Sequence, residues 1–312
     1  MWTRSAGHLA AVLSIALVVM CTPIALQGDG PRGQLLIIGG GDRGAAIMQL
    51  FGCLAGGAQG RVLAFPQASE RPEAGPEILA ELQGLGIGRV TLAEVDRGSA
   101  DTEAAASLTT GITGVYFGGG DQSRLMAVLR GTRLEAALRR AYRDGAVMAG
   151  TSAGAAVMSR TMITGDERRP YTKDENWQTI EADNVVTAEG LGLLEDAVVD
   201  QHFVRRRRHN RLISVVLERP QLLGIAIDEE TAVWVKPDST FDVVGDGAVL
   251  VLDGSRARTA RDAAGEGLRG ADLRLHVLRG GARYDLARRA VVRLAPDAPG
   301  ESAPATAGCA PR

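Results

Sequence analysis

Cysteine, histidine and aromatic residues are all scarce in this chain, and each scarcity removes a class of explanation. The three cysteines, Cys21, Cys53 and Cys309, make no metal-ligand spacing and no dense disulfide framework. A Cys53–Cys309 bridge stays open without support from any spacing rule, and disulfides are not expected to hold the fold together. The four histidines, His8, His202, His209 and His276, lack CxxC or HxxxH partners, so structural zinc is not expected. Aromatic residues are 4% of the chain, which suits tight helix-on-sheet packing better than platforms for stacking bases. The 35 Lys and Arg nearly balance the 37 Asp and Glu, a formal net charge of -2. That gives no electrostatic case for nucleic acid or an anionic membrane as the main partner.

Long apolar runs are missing as well, with one exception at residues 9–20 (LAAVLSIALVVM), preceded by Arg4 and followed by Thr22, Pro23 and Gln27. A dozen apolar residues are short for a membrane span and suit the core of a signal peptide. Residues 1–27 are therefore expected to be a removed leader, with export to the periplasm or beyond and no stable membrane span after processing. Cys21, directly after the run, raises a lipid anchor, although Met20 is a poor residue before a lipidated cysteine.

What is present is a repeated alternation of apolar strand and amphipathic helix, within a chain of 312 residues that is ample for a buried core. Gln34-Leu35-Leu36-Ile37-Ile38 ends at Gly39-Gly40-Gly41-Asp42-Arg43-Gly44, and Ile47, Leu50, Phe51 and Leu54 share the next helix face. The glycine spacing matches a dinucleotide fingerprint, but the second strand, Arg61-Val62-Leu63-Ala64-Phe65, ends in Pro66-Gln67-Ala68-Ser69 with no carboxylate for a ribose. The glycines are better read as a tight turn lining a cleft. Helices over 76–85 and 101–108, strands at Arg89-Val90-Thr91-Leu92 and Gly114-Val115-Tyr116-Phe117, and one long helix carrying Leu125, Leu129, Leu134 and Leu138 continue the pattern. Such alternation predicts a largely parallel sheet covered on both faces, with the active cleft at the carboxyl ends of the strands. Ala232-Val233-Trp234-Val235, Phe241-Asp242-Val243-Val244 and Ala248-Val249-Leu250-Val251 read as extra antiparallel strands. Residues 161–195 read as a long polar loop region, 33–295 as a single α/β hydrolase domain, and 296–312 as a disordered tail.

The chemistry centres on Gly150-Thr151-Ser152-Ala153-Gly154-Ala155, between the apolar run Ala146-Val147-Met148-Ala149 and a helix beginning near Ala155. A serine among small residues at a strand-to-helix turn has the pattern of a nucleophile elbow, its hydroxyl held over a helix N-terminus. Such a hydroxyl needs a base and a group that orients the base. His202 follows a strand-like run and can share the cleft; Asp228, Glu229 and Glu230 are all candidates for the acid, and spacing does not choose among them. Arg205 to Arg208 and Arg211 form a basic run next to His202. Guanidinium groups hold carboxylates bidentately, which points to an acidic substrate.

Four blocks carry a resemblance. Gly119-Gly120-Asp121-Gln122, the Ser152 turn, Asp200-Gln201-His202-Phe203 with Arg206, Arg208, Arg211 and Leu212, and Gly224-Ile225-Ala226-Ile227-Asp228-Glu229-Glu230-Thr231-Ala232 resemble the cyanophycinases. Those are serine hydrolases of the peptidase family that also contains the peptidase E group of aspartyl dipeptidases. The resemblance spans roughly residues 33–255, although the first glycine turn and the Asp166–Tyr171 segment depart from the family's pattern. It implies a three-layer α/β sandwich like the class I glutamine amidotransferases, with Ser152 as nucleophile, His202 as base and Glu229 as orienting acid. Gln122, Asp200, Gln201, Arg206, Arg208 and Arg211 would bind substrate, and Gly119, Gly120 and Ala153 would form the oxyanion hole. The implied substrate is cyanophycin, a poly-aspartate with arginine on its β-carboxyls, cut to β-aspartyl-arginine through an acyl-enzyme. Asp174 and Glu175 are candidate partners for the substrate guanidinium. No metal or organic cofactor is called for, and a homodimer is the family's expectation. The alternatives are an α-aspartyl or isoaspartyl peptidase of the same family, or an inactive homologue that binds acidic peptides.

Overall fold

The computed structural model describes residues 1–2, 30–169 and 178–294. β1 (Leu35–Ile38) leads through the first glycine turn into α1 (Ala45–Leu54), and β2 (Arg61–Phe65) into α2 (Ala74–Gly84). β3 (Arg89–Leu92) is followed by the short α3 (Arg97–Ala100) and α4 (Glu103–Ser107), and β4 (Gly114–Phe117) by α5 (Gln122–Leu129) and α6 (Arg133–Asp144). β5 (Val147–Thr151) runs into the single-turn α7 (Ala153–Ala156). Next come β6 (Thr161–Glu167), β7 (Val185–Glu189), β8 (Ala197–Gln201), α8 (His209–Glu218) and β9 (Leu223–Ile227). The rest is strands: β10 (Thr231–Val235), β11 (Thr240–Gly245), β12 (Val249–Asp253), β13 (Arg258–Arg261), β14 (Leu268–Ala271), β15 (Arg274–Leu278), β16 (Arg283–Asp285) and β17 (Ala290–Arg293).

The nine strands of the main sheet lie in the order β17-β16-β11-β10-β1-β5-β4-β2-β3. β1, β5, β4, β2 and β3 are parallel, and β10, β11, β16 and β17 extend the sheet antiparallel from β1. The expected α/β architecture with C-terminal antiparallel strands is thus observed. These strands read as continuous apolar runs because both sheet faces are covered. Leu35 and Ile37 join the core beneath α5 and α6, where Leu125, Leu129, Leu134 and Leu138 are buried. Leu36 and Ile38 face the opposite core, with Ile47 and Phe51 of α1 and Leu82 of α2. Each fully buried aliphatic side chain of this kind contributes roughly 1.5–3 kcal/mol relative to exposure.

Part of the first face is covered by a second sheet, β15-β12-β9-β8, in which β8 and β9 are parallel. Val199, Ile225, Ile227 and Val251 pack into the same core as α5 and α6. Leu212, Val215 and Val216 of α8 cover its other side against Val198 and Ala226. The runs ending at Gln201 and Ile227 therefore belong to this second sheet, a pairing that apolar periodicity does not encode.

Two sequence expectations are corrected, and one question left open is answered. The single long helix is two, because Gly131 takes a left-handed φ of 73° and the Thr132 hydroxyl caps α6 at Glu135 N–H. The stretch 161–195 contains an antiparallel pair, β6 with β7, because Met162, Ile163 and Val185 have a core to bury against. Cys53, at the end of α1, is disulfide-bonded, a crosslink for which spacing gave no signal. Asp174, Glu175, nearly all of the leader and the tail 296–312 lie outside the described residues. Among the described residues no helix is long and apolar enough to cross a membrane.

Candidate active site

The register of the parallel strands sets where the site forms. Ile38 lies opposite Thr151, and Phe117 opposite Gly150, so the turns after β1, β4 and β5 meet at one edge. The turn after β5 is the expected elbow. Ser152 has φ 54° and ψ -112°, backbone geometry that a non-glycine residue adopts only under constraint. Gly150 and Gly154 permit it: a Cβ on Gly154 would meet the Phe117 carbonyl, and one on Gly150 the Gly154 backbone. α7 is only one turn long, so individual N–H groups, rather than a long helix dipole, are what it offers to a developing oxyanion.

From this turn a continuous hydrogen-bond chain runs through His202 to Glu229. Ser152 Oγ lies 2.7 Å from His202 Nε2, and His202 Nδ1 lies 2.6 Å from Glu229 Oε1. A carboxylate only accepts, so Nδ1 carries its proton toward Glu229 and leaves Nε2 free to accept from Ser152. His202 is 6% exposed. Burial is the largest influence on its ring and pushes the pKa below the ordinary 6.5; the Glu229 hydrogen bond opposes this, and Arg206 and Arg208 add to it. The imidazole is thereby kept neutral near neutral pH, the form a general base needs.

Of the three acidic residues left open by spacing, one meets the imidazole. Glu229 faces the imidazole, while Asp228 accepts from the Arg205 backbone N–H at 3.0 Å. Glu230 is exposed and occupies a left-handed turn with φ 57°. Arg205 Nε stands 4.0 Å from Glu229 Oε2. Gly119 adjoins Ser152, since a Cβ built on it would lie 3.5 Å from Ser152 Cβ. Gly120 adopts φ 139° against the Ala68 carbonyl, and Ala153 is the first residue of α7.

The six residues proposed to bind substrate divide into two groups. Asp200 is fully buried and takes both arms of Arg211, Nε at 2.8 Å to Oδ2 and Nη2 to Oδ1. Arg208 donates to the Gln201 backbone carbonyl at 2.7 Å and to its side-chain oxygen, and Arg211 Nη2 reaches the same oxygen at 3.2 Å. These four form a buried polar network under the His202 turn, and burial, with Arg211 alongside, pushes Arg208 down to about 10. Gln122 is likewise buried and donates to the carbonyls of Ile163 and Thr164, at 2.8 and 2.6 Å, tying α5 to β6. Arg206 alone of the six is exposed, beside His202. His209 packs edge-on against Phe203, with ring centroids 4.7 Å apart, and His276 lies in β15 of the second sheet. Among the described residues no group of three or more His, Cys, Asp or Glu is disposed to hold a metal ion.

Comparison with known proteins agrees with this geometry. The profile of peptidase family S51 matches residues 35–243. A cyanophycinase of Synechococcus elongatus is 35% identical over 271 residues, covering 83% of this chain and 81% of its own. One from Trichormus variabilis is 34% identical over 267 residues, covering 83% of this chain and 87% of its own. In fold, the chain is similar to the crystal structure of a peptidase from an acI-B1 Actinobacterium, with TM-score 0.60 and 23% identity over 81% of this chain and 96% of that one. The family match and the serine-centred hydrogen-bond chain lead to one conclusion: this chain belongs to peptidase family S51, and it is a serine peptidase.

Proposed function

We propose that the protein degrades cyanophycin to β-aspartyl-arginine, with Ser152 as the nucleophile. The observation that carries the reading is the unbroken Ser152–His202–Glu229 chain in a sequence 35% identical to a cyanophycinase over 83% of its length. Ser152 Oγ attacks the carbonyl carbon of a backbone peptide bond while His202 Nε2 takes the hydroxyl proton. Negative charge on the carbonyl oxygen is met by N–H groups of Gly119, Gly120 and Ala153; one such donor is typically worth about 3–4 kcal/mol of barrier. Collapse of the tetrahedral adduct expels the amine, which receives the proton from His202, and leaves an acyl ester on Ser152. Water, deprotonated by His202, then attacks the ester and restores the serine. Glu229 fixes the tautomer and stabilises the imidazolium formed in each half-reaction.

Arg206, exposed beside the base, is the candidate contact for a substrate carboxylate. Asp200, Gln201, Arg208 and Arg211 contribute by holding the loop that carries it. The reading also places the enzyme outside the cytoplasm. It is supported by the leader-like residues 1–27 and by the disulfide at Cys53, since such bonds persist in oxidising compartments.

The test is mass spectrometry of the products from insoluble cyanophycin and, separately, from β-aspartyl and α-aspartyl peptides. Release of β-aspartyl-arginine from polymer is the expected result. Cleavage of short peptides alone would keep the chemistry and assign the substrate to the aspartyl dipeptides. Tight binding of acidic peptides without cleavage would mean an inactive homologue.

A further inference from the structure

The end of β1 touches all three segments that carry the triad. Three consecutive carbonyls do so: Ile38 accepts from Ser152 N–H at 3.0 Å, Gly39 from His202 N–H at 2.8 Å, and Gly40 from Glu230 N–H at 3.0 Å. Gly39 N–H in turn donates to the Thr231 carbonyl at 2.8 Å, closing the turn onto the start of β10. The segments it joins come from different sheets. Ser152 follows β5 of the main sheet, His202 follows β8 of the second sheet, and Glu229 lies in the link from β9 to β10. His202 has φ 50° and Glu230 φ 57°, so both flanking turns are held in conformations that need outside support.

The same turn also presses on the side chains. Gly40 has φ 106°, and a Cβ added there would stand 2.9 Å or less from three atoms of the His202 ring. Gly41 has φ 72°, and its Cβ would lie 2.9 Å from Glu229 Cβ and 3.0 Å from Oε2. The bare backbone of Gly40 is thus in contact with the imidazole, and that of Gly41 with the carboxylate side chain.

We infer that Gly40 and Gly41 are positioning residues of the peptidase. The turn after β1 sets the relative placement of Ser152, His202 and Glu229 through three successive carbonyls, and its missing side chains leave room for the imidazole and carboxylate in reacting geometry. This rests on the serine-peptidase mechanism proposed above. It assigns the glycine-rich turn a role in catalysis rather than in holding a phosphate or a cofactor. A misplacement of about 1 Å in such a site costs on the order of 10²-fold in rate.

Gly44 supplies the control within the same turn. It also has positive φ, 57°, but nothing lies within 4 Å of where its Cβ would be. Gly40→Ala and Gly44→Ala therefore both force an L-residue into a left-handed region, and only Gly40→Ala displaces the imidazole. Turnover of cyanophycin and labelling of Ser152 by a fluorophosphonate should be measured for the wild type and both variants. The proton NMR resonance of His202 Nδ1–H, far downfield when bonded to Glu229, reports the geometry directly. For Gly40→Ala the expected result is a fall in kcat of about 10²-fold or more with KM nearly unchanged, slow labelling, and a shifted or lost downfield resonance. Gly44→Ala should remain close to wild type in all three.

Should Gly40→Ala fail to fold, Gly41→Ala carries the test, because the three atoms nearest its added methyl all belong to the Glu229 side chain and none to the His202 ring. Loss of the Glu229 hydrogen bond should then lower kcat and move the acid limb of kcat/KM to lower pH. Near-wild-type kcat and an unchanged downfield resonance in Gly40→Ala, or in Gly41→Ala where that variant carries the test, would overturn the inference. So would equal losses in Gly40→Ala and Gly44→Ala, which would trace the effect to loop strain. A wild-type enzyme inert to both polymer and fluorophosphonate would instead refute the proposed mechanism, so the two failures are distinguishable.

Discussion

Replacing Glu229 by Gln tests the electrostatic half of the mechanism while barely changing the shape of the site. In the wild type, Glu229 Oε1 sits 2.6 Å from His202 Nδ1 and can only accept, which forces the proton onto Nδ1 and the lone pair onto Nε2, 2.7 Å from Ser152 Oγ. An amide can also donate. Turned so that its NH2 faces Nδ1, it selects the opposite tautomer, in which Nε2 holds a proton and cannot take another. The amide also removes the charge that stabilises the imidazolium. A unit-charge pair about 4 Å apart at an effective dielectric near 20 is worth roughly 4 kcal/mol, equivalent to about 10³-fold in rate. The Glu229 side chain is 26% exposed, which trims that figure, and the tautomer penalty adds to it. The expected loss in kcat is therefore between about 10³ and 10⁴-fold, comparable with the effect of the corresponding Asp→Asn change in chymotrypsin-type triads. The pH profile adds a sign. Because the catalytic form of His202 is neutral, wild-type kcat/KM should rise with pH through a pKa below 6.5, the direction set by burial. The Glu229 hydrogen bond is what holds that pKa up, so Glu229→Gln should move the acid limb to lower pH while lowering the plateau. The assay is kcat/KM for β-aspartyl-arginine release across the pH range. A loss below about tenfold, or an acid limb moving to higher pH, would refute the reasoning.

Two further predictions separate structural from catalytic duties among the buried polar residues. Arg211→Ala leaves the fully buried Asp200 without its bidentate partner. It should cost about 3–5 kcal/mol of unfolding free energy, read by urea denaturation, and Asp200→Leu combined with Arg211→Met should recover much of that loss; a cost below about 1 kcal/mol would show the pair to be dispensable. Gln122→Leu removes both donors to the Ile163 and Thr164 carbonyls, a loss of roughly 1–3 kcal/mol for buried acceptors, and should speed amide hydrogen exchange along β6. Unchanged exchange there, with a large rise in KM, would mean that Gln122 serves the substrate and not the strand.

Much of the parallel half of the sheet was legible because strands buried on both faces need unbroken apolar runs, as Leu35–Ile38 and Gly114–Phe117 show. The Ser152 turn was legible because its backbone demands small neighbours, and the residues around it supply them. By spacing alone, the carboxylate that meets His202 was not, although the resemblance pointed to Glu229. Asp228, Glu229 and Glu230 are consecutive, and only the left-handed turn at Glu230, with Asp228 drawn to Arg205 N–H, decides that Glu229 meets the imidazole. The assignment of β8 and β9 to a second sheet was hidden because strand pairing is long-range and leaves no mark on periodicity. The arginines show a subtler limit. The sequence shows Arg208 and Arg211 in one basic run, but which charge a guanidinium meets depends on depth: Asp200 is buried at that spot and pairs with Arg211. The pairing of β6 with β7 was obscured because Gly165 and Asp166 interrupt the apolar pattern of Met162 and Ile163 with turn-forming residues.

The central claim is that Ser152 performs the hydrolysis. The most direct test compares soluble products released from insoluble cyanophycin by the wild type and by Ser152→Ala, each verified as folded by its thermal transition. The account predicts β-aspartyl-arginine from the wild type and none from Ser152→Ala, with the two transitions nearly coincident, because Ser152 is a single turn residue whose hydroxyl bonds to His202. Product release by Ser152→Ala at an appreciable fraction of the wild-type rate would contradict it and place the reacting group elsewhere.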